Sequence, residues 1–107
     1  MWIFLSDAFV SVVAHRSKKD SLLVRARRKG DLARLLGAET QVDVTNDADY
    51  LYRATVSRAE IGNLIADRVK AIDYDNFKDS IDNEAYHDAC LEVWTVMRDL
   101  QWRGEEE

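Results

Sequence analysis

Residues 50 to 72 read YLYRATVSRAEIGNLIADRVKAI, and this stretch carries the strongest structural signal in the chain. Its first part, Tyr50 to Val56, is rich in aromatic and β-branched residues, which is typical of a strand. Ser57-Arg58-Ala59-Glu60 then has the spacing of a capping box, in which the Ser57 hydroxyl accepts a hydrogen bond from the Glu60 amide. A helix is therefore predicted to begin at Ser57, directly after the strand.

This predicted helix is amphipathic. Its apolar side chains recur at intervals of three and four residues, which places them on one helix face. They are Ile61, Leu64, Ile65, Val69 and Ile72. We expect this face to pack on a sheet that contains the preceding strand.

The segments before residue 50 indicate further strands and one short helix. Three apolar or alternating runs predict strands, the first two joined as a hairpin. These runs are residues 2–5, 9–14 and 22–28. A short helix is predicted to begin at Gly30-Asp31 and to end at Gly37. Val42 and Val44 indicate a weaker strand.

The C-terminal part of the chain predicts a helix from about Asn83 to about Leu100. Its apolar residues advance by four and three positions and form one seam, which we expect to be buried. They are Tyr86, Cys90, Val93, Met97 and Leu100.

The order of these elements predicts an α+β fold. We expect an antiparallel or mixed sheet of four to five strands, with two to three helices mainly on one face. A ferredoxin-like variant fits this order. Because 107 residues is a common size for one domain, we predict a single domain over residues 1–103 and an acidic tail over residues 104–107.

The composition limits the classes of protein to consider. No apolar run approaches the roughly 18 residues that span a bilayer. Residues 1–5 lack the basic segment of a secretory signal, so we expect a cytoplasmic protein without membrane contact. Cys90 is the only cysteine, which excludes an intramolecular disulfide and a Cys/His zinc cluster. We therefore expect no metal and no cofactor.

The chain also lacks common catalytic motifs, because there is no glycine-rich phosphate loop, no GxSxG and no HExxH. We expect a protein that is not an enzyme. The alternative is a small enzyme or ligand-binding domain with a pocket around His15, His87 and the Tyr50/Tyr52 strand, because imidazole titrates near neutral pH.

A basic ladder is formed by Arg25, Arg27, Arg28 and Lys29. Such cations can contact phosphates, so a nucleic-acid-binding accessory protein is a further alternative. The ladder has no interleaved aromatic platform, and the rest of the chain would repel a polyanion. We therefore favour a role in which these cations face solvent or pair with the chain's own carboxylates over direct nucleic-acid binding.

The last helix carries an acidic stripe, defined by Glu84, Asp88 and Glu92 at intervals of four residues. Like charges at this spacing lie about 5–6 Å apart and destabilise a helix by a few tenths of a kcal/mol per pair. A row of carboxylates can imitate nucleic-acid phosphates and occupy a basic groove on a partner protein. Ordinary solubility is the other explanation.

Two apolar residues, Leu91 and Trp102, fall on the charged side of this helix by their helical positions. An apolar anchor inside a charged rim is the usual composition of a protein interface. The predicted partner-binding surface therefore comprises Asp79, Asp82, Glu84, Asp88, Leu91, Glu92 and Trp102.

Charge is distributed unevenly along the chain. Residues 1–37 hold eight Lys or Arg against three Asp or Glu, which gives a net charge of +5. Because the whole chain carries −5, the remaining seventy residues carry −10. Opposite charges of this kind predict a salt-sensitive, head-to-tail homodimer.

Four segments resemble a small bacterial and phage protein family of about this length. They are Met1-Trp2-Ile3-Phe4, LLVRARRKGD at residues 22–31, YLYRA at residues 50–54 and IDYDNFK at residues 72–78. The resemblance implies a bacterial or phage setting and brings no activity and no catalytic residues. In size and acidity the chain is also similar to anti-CRISPR inhibitors. These features together predict a non-enzymatic protein-binding module, most specifically an acidic inhibitor of a nucleic-acid-binding effector that acts by nucleic-acid mimicry.

Overall fold

The computed structural model, in which residues 1–104 are described, has an α+β fold with a five-stranded antiparallel sheet and three α-helices. The predicted fold class is therefore confirmed. Contacts divide the chain into two compact units, Met1–Asp73 and the part that begins at Tyr74. A single domain over residues 1–103 stays a prediction. Of the predicted acidic tail, Gly104 belongs to the last helix and residues 105–107 lie outside the described residues.

The first unit contains all five strands and two of the helices. The strands are β1 (Trp2–Phe4), β2 (Phe9–Ala14), β3 (Ser21–Ala26), β4 (Asp43–Val44) and β5 (Tyr52–Ser57). The helices are α1 (Asp31–Leu36) and α2 (Arg58–Lys70). Each predicted strand and helix of this unit is present, with ends that differ by about two residues.

The strands are ordered β1-β2-β3-β5-β4, and every neighbouring pair is antiparallel. Because β5 is antiparallel to both β3 and β4, those two strands run parallel to each other on either side of it. The connection from β3 through α1 to β4 is therefore a split β-α-β unit, which is the feature that ferredoxin-like folds share.

The core of the first unit lies between one face of the sheet and the two helices. Val24 on β3 is paired with Val12 on β2 and Ala54 on β5, and side chains at paired positions point to the same face. Leu32 of α1 and Ile61 of α2 complete the cluster. The two helices thus cover a single face of the sheet, as predicted.

The capping signal at Ser57 is confirmed. Its side chain accepts a hydrogen bond from the Glu60 amide at 3.1 Å and satisfies one of the free amides at the start of α2. Gly37 ends α1 with a φ of 104°, which only glycine adopts without strain. The start of α2 and the end of α1 are therefore set by Ser57 and Gly37, the residues that predicted them.

The second unit contains a short 3₁₀ turn, Phe77–Ser80, and the long helix α3, Glu84–Gly104. Asn83 precedes α3 and accepts a hydrogen bond from the Tyr86 amide at 2.9 Å through its side chain, so it caps the helix. The helix is four residues longer at its C-terminal end than predicted.

The apolar seam predicted for α3 is only partly buried. Tyr86 and Cys90 are buried, whereas Val93, Met97 and Leu100 are exposed. The prediction that the whole seam belongs to the core is wrong, because the periodicity identifies the apolar face of a helix but not what covers it.

Candidate protein-binding surface

A buried carboxylate at Asp31 organises one end of the first unit. Asp31 is 1% exposed and accepts hydrogen bonds from the Phe9 amide at 3.1 Å and from the Arg28 guanidinium at 2.9 and 3.2 Å. Arg34 also donates to it. Four donors on one carboxylate satisfy a group that would otherwise be costly to bury.

The same network extends to α2. Arg34 donates to the Asp7 carbonyl at 2.7 Å, and Arg68 forms an ion pair with the Asp7 carboxylate at 2.9 Å. The β1–β2 turn, α1 and α2 are therefore held together by charged hydrogen bonds. This network has a structural role. It was not predicted from the sequence, although Arg28 and Arg34 lie three residues before and three residues after Asp31.

The arginines of the basic ladder are engaged within the first unit. Arg25 donates to the Ser11 hydroxyl at 2.8 Å, and Arg27 forms an ion pair with Asp49 at 3.1 Å. Both guanidinium groups lie over the ring of Tyr50, at 4.4 and 4.3 Å from its centroid. Cation–π contacts of this kind stabilise the charged form and fix the side chains.

The surroundings of Arg27 also act on its pKa. Desolvation lowers its pKa, but the hydrogen bond and the charge of Asp49, together with Tyr50, outweigh that effect and raise the pKa above its ordinary value. Arg28 forms an ion pair with Asp31, and Lys29 is exposed. Three of the four cations thus have partners in the chain itself, which favours the structural role of the ladder over phosphate binding.

The alternative pocket around the histidines and tyrosines is not assembled in the first unit. His15 follows Ala14, which is aligned across β3 with Val56 of β5. Tyr52 lies four residues before Val56 on β5, which is about 13 Å along the strand. The His15 ring accepts from the Ser17 amide at 3.2 Å and shapes a turn. Tyr50 is buried beneath the two arginines.

His87 belongs to the second unit, where it contacts Asp88 at 3.4 Å on the surface of α3. The first unit has instead an apolar groove of about 450 Å³ between the sheet and α2. It is lined by residues such as Ile3, Val12 and Ile65, with Arg58 as its charged residue and no histidine or tyrosine.

The acidic stripe of α3 has a different character from the basic ladder. Glu84, Asp88 and Glu92 are exposed, as are Asp79 and Asp82 just before the helix. Among the described residues none of these five carboxylates forms an ion pair with a lysine or an arginine. The stripe is therefore open to a cationic partner.

Two of the three cations of the second unit contact groups outside the acidic stripe. Lys78, six residues before Glu84, lies over the ring of Trp94 at 4.7 Å from its centroid. Arg98 lies over the same ring at 5.2 Å and contacts Asp99 at 3.4 Å. From residue 74 onward, ten carboxylates against three cations give a net charge of −7, whereas residues 1–73 carry +2. The acidity of the protein is concentrated in the second unit.

The two predicted anchors are exposed on α3. Leu91 is 39% exposed and Trp102 is 56% exposed. At 100° per residue both lie on the arc that Glu84 and Asp88 occupy. The structure thus places Leu91, Trp102 and the acidic stripe on one side of one helix, with Trp102 about 15 Å along the helix axis beyond Glu92.

Comparisons of the chain with models of known protein families, with curated proteins and with solved structures gave no match. Within residues 1–104, no three His, Cys, Asp or Glu side chains are placed to share a metal ion. None of the helices in that range combines the length and the hydropathy needed to cross a bilayer.

Proposed function

We propose that this protein is a non-enzymatic protein-binding module that uses the acidic side of α3 to occupy a basic surface on a nucleic-acid-binding effector. In its most specific form it is an inhibitor that imitates nucleic-acid phosphates, in keeping with its likeness to anti-CRISPR inhibitors in size and acidity. The observation that carries the proposal is the contrast in charge pairing. The arginines of the basic ladder have partners within the chain, whereas among the described residues no lysine or arginine forms an ion pair with a carboxylate of the acidic stripe.

The energetics of the helix support this choice. Glu84, Asp88 and Glu92 repel one another along α3, and within residues 1–104 no lysine or arginine pairs with them. A basic groove would relieve that repulsion and gain from the opposite charge, which also steers the encounter. The stripe therefore stabilises a complex more than it stabilises the free helix.

Leu91 and Trp102 supply the apolar part of the same surface. Interface energy is usually concentrated in a few large side chains, with tryptophan prominent among them, inside a polar rim. Leu91 is an exposed apolar side chain next to Glu92, and exposed Trp102 lies on the same side of α3 about 15 Å further along the axis. We expect Trp102 to contribute most to residence time and the carboxylates to contribute most to the association rate.

The proposal is tested by capturing partners from a bacterial lysate on the immobilised full chain and then adding double-stranded DNA or RNA. The expected result is a nucleic-acid-binding protein that is retained by the chain and released by the added nucleic acid. Asp88→Lys with Glu92→Lys should lose it. The control, Glu39→Lys with Asp47→Lys, makes the same change in net charge at exposed positions of the first unit and should retain it.

Two outcomes would contradict the proposal. One is equal capture of the same partner by the stripe variant and by its control. The other is direct binding of DNA or RNA by the purified chain that is lost in Lys29→Glu, because this would identify the basic ladder as the working surface.

A further inference from the structure

The apolar groove of the first unit lies where α2 leaves part of the sheet's core face open. Val12 on β2 and Val24 on β3 are paired and point to this face, but Val24 is fully buried whereas Val12 is only partly buried. The difference arises because α2 packs on β3 and β5. The β1–β2 side of the face therefore forms one wall of the groove of about 450 Å³.

One flank of α2 forms the other wall. Arg58, Gly62 and Ile65 all line the groove, and at 100° per residue they fall within an arc of about 60°. Glycine weakens a helix interior. A Cβ at Gly62 would meet no described atom within 4 Å, so packing within residues 1–104 does not require glycine there. The missing side chain leaves the helix backbone open to the groove.

Arg58 gives the groove a fixed positive charge at the start of α2. Its Nε donates a hydrogen bond to the Lys19 carbonyl at 2.8 Å, and its backbone amide donates to the Asp20 carbonyl at 2.8 Å. Within residues 1–104 the two terminal nitrogens of its guanidinium have no hydrogen-bond or ion-pair partner. A guanidinium held at Nε and open at its terminal pair presents a planar fork, which binds a carboxylate through two parallel hydrogen bonds.

The loop that holds Arg58 adds to this charge. It carries Arg16, Lys18 and Lys19 against a single acid, Asp20, and all three cations are exposed. None of the three forms an ion pair in the part of the chain that the structure describes. The charge that complements this end of the groove is therefore negative.

We propose that the groove binds a small-molecule carboxylate with an apolar chain of about eight to ten carbons. The carboxylate lies on the Arg58 guanidinium, and the chain lies between the sheet and α2 against side chains such as Ile3, Val12 and Ile65. The volume falls within the roughly 300–1,000 Å³ of small-molecule sites. At roughly 30 Å³ per non-hydrogen atom it holds about fifteen such atoms, and decanoate needs about twelve.

The test is titration of the full chain with decanoate, below the concentration at which decanoate forms micelles, followed by NMR of the isoleucine and valine methyl groups. We expect saturable binding of one decanoate per chain, with a Kd between about 10 μM and 1 mM. The shifts should be confined to methyl groups of the groove, such as those of Ile3, Val12 and Ile65. Decanol, which has the same chain without the charge, should bind about tenfold more weakly.

Two variants with matched controls separate the apolar and the charged parts of the site. Gly62→Leu should fill the groove and abolish binding without lowering the thermal midpoint, whereas Asn63→Leu adds the same side chain at an exposed position of α2 outside the groove and should bind normally. Arg58→Met should weaken decanoate binding about tenfold and leave decanol binding unchanged. Lys70→Met makes the same change in charge at the other end of α2 and should alter neither.

Four results would overturn the inference. They are the absence of methyl shifts at millimolar decanoate, equal affinity for decanoate and decanol, unchanged decanoate affinity in Gly62→Leu or Arg58→Met, and a lowered thermal midpoint of Gly62→Leu, which would show that the space belongs to the protein's own packing. The inference is independent of the proposed function. Asp88→Lys with Glu92→Lys alters only α3 and should bind decanoate as the wild-type chain does, so a failure of one proposal leaves the other readable.

Discussion

Replacement of Asp31 by alanine should destabilise the first unit by about 3 kcal/mol. The change removes the acceptor of four hydrogen bonds. Loss of the acceptor leaves the partly buried Phe9 amide without this partner, which costs about 1–3 kcal/mol. The Arg28 and Arg34 side chains are 36% and 41% exposed, so water replaces part of what they lose. The total therefore falls at the lower end of the roughly 3–5 kcal/mol seen when a buried ion pair is broken.

Thermal unfolding followed by circular dichroism measures this effect. At about 4–8 °C per kcal/mol for a unit of this size, the midpoint should fall by about 12–24 °C. Asp49→Ala is the matched control, because it breaks an ion pair with Arg27 in which the aspartate side chain is 75% exposed. It should cost less than about 1 kcal/mol. If Asp31→Ala and Asp49→Ala shift the midpoint equally, the reasoning about the buried network is refuted.

Two further predictions concern backbone and capping positions. Gly30→Ala should lower the free energy of unfolding by about 1–2 kcal/mol, because Gly30 has a φ of 97° and a Cβ there would lie 2.9 Å from the Arg34 side chain. Gly62→Ala, where a Cβ meets open space within α2, should instead raise it by about 1 kcal/mol. Urea unfolding of both variants checks the opposite signs. Equal signs would contradict the assignment of strain to Gly30. Ser57→Ala should cost about 1 kcal/mol, since it removes the hydrogen bond to the Glu60 amide, and Ser57→Asp should recover most of this in the same assay.

The strands and helices of the first unit could be predicted from the sequence because neighbouring signals there indicated the same elements. The strand signal over residues 50–56, the capping box at Ser57 and the apolar spacing that follows all indicated strand β5 and helix α2, although Val69 and Ile72 of the predicted apolar face are exposed. The phase of β3 was also predictable. Val24 and Ala26 are buried, whereas Arg25 and Arg27 are directed to the other side, as the two-residue period of a strand requires.

The contacts between distant residues were not predictable from the sequence. Nothing local indicates that Tyr50 lies beneath Arg25 and Arg27. Asp31 resembled an ordinary residue at the start of a helix, and only the folded chain brings it to the Phe9 amide. In α3 the heptad-like spacing identified the apolar side correctly, but burial at Val93 depends on a neighbouring surface that a periodicity cannot supply.

Two exposed tryptophans allow one direct measurement of the central claim, which is that the acidic side of α3 binds the partner. Hydroxyl-radical footprinting of the chain with and without the captured effector reports on Trp2 in the first unit and on Trp102 on the acidic side of α3, both of which are exposed. We predict that the effector protects Trp102 and leaves Trp2 unchanged. Protection of Trp2 with an unchanged Trp102 would contradict the account.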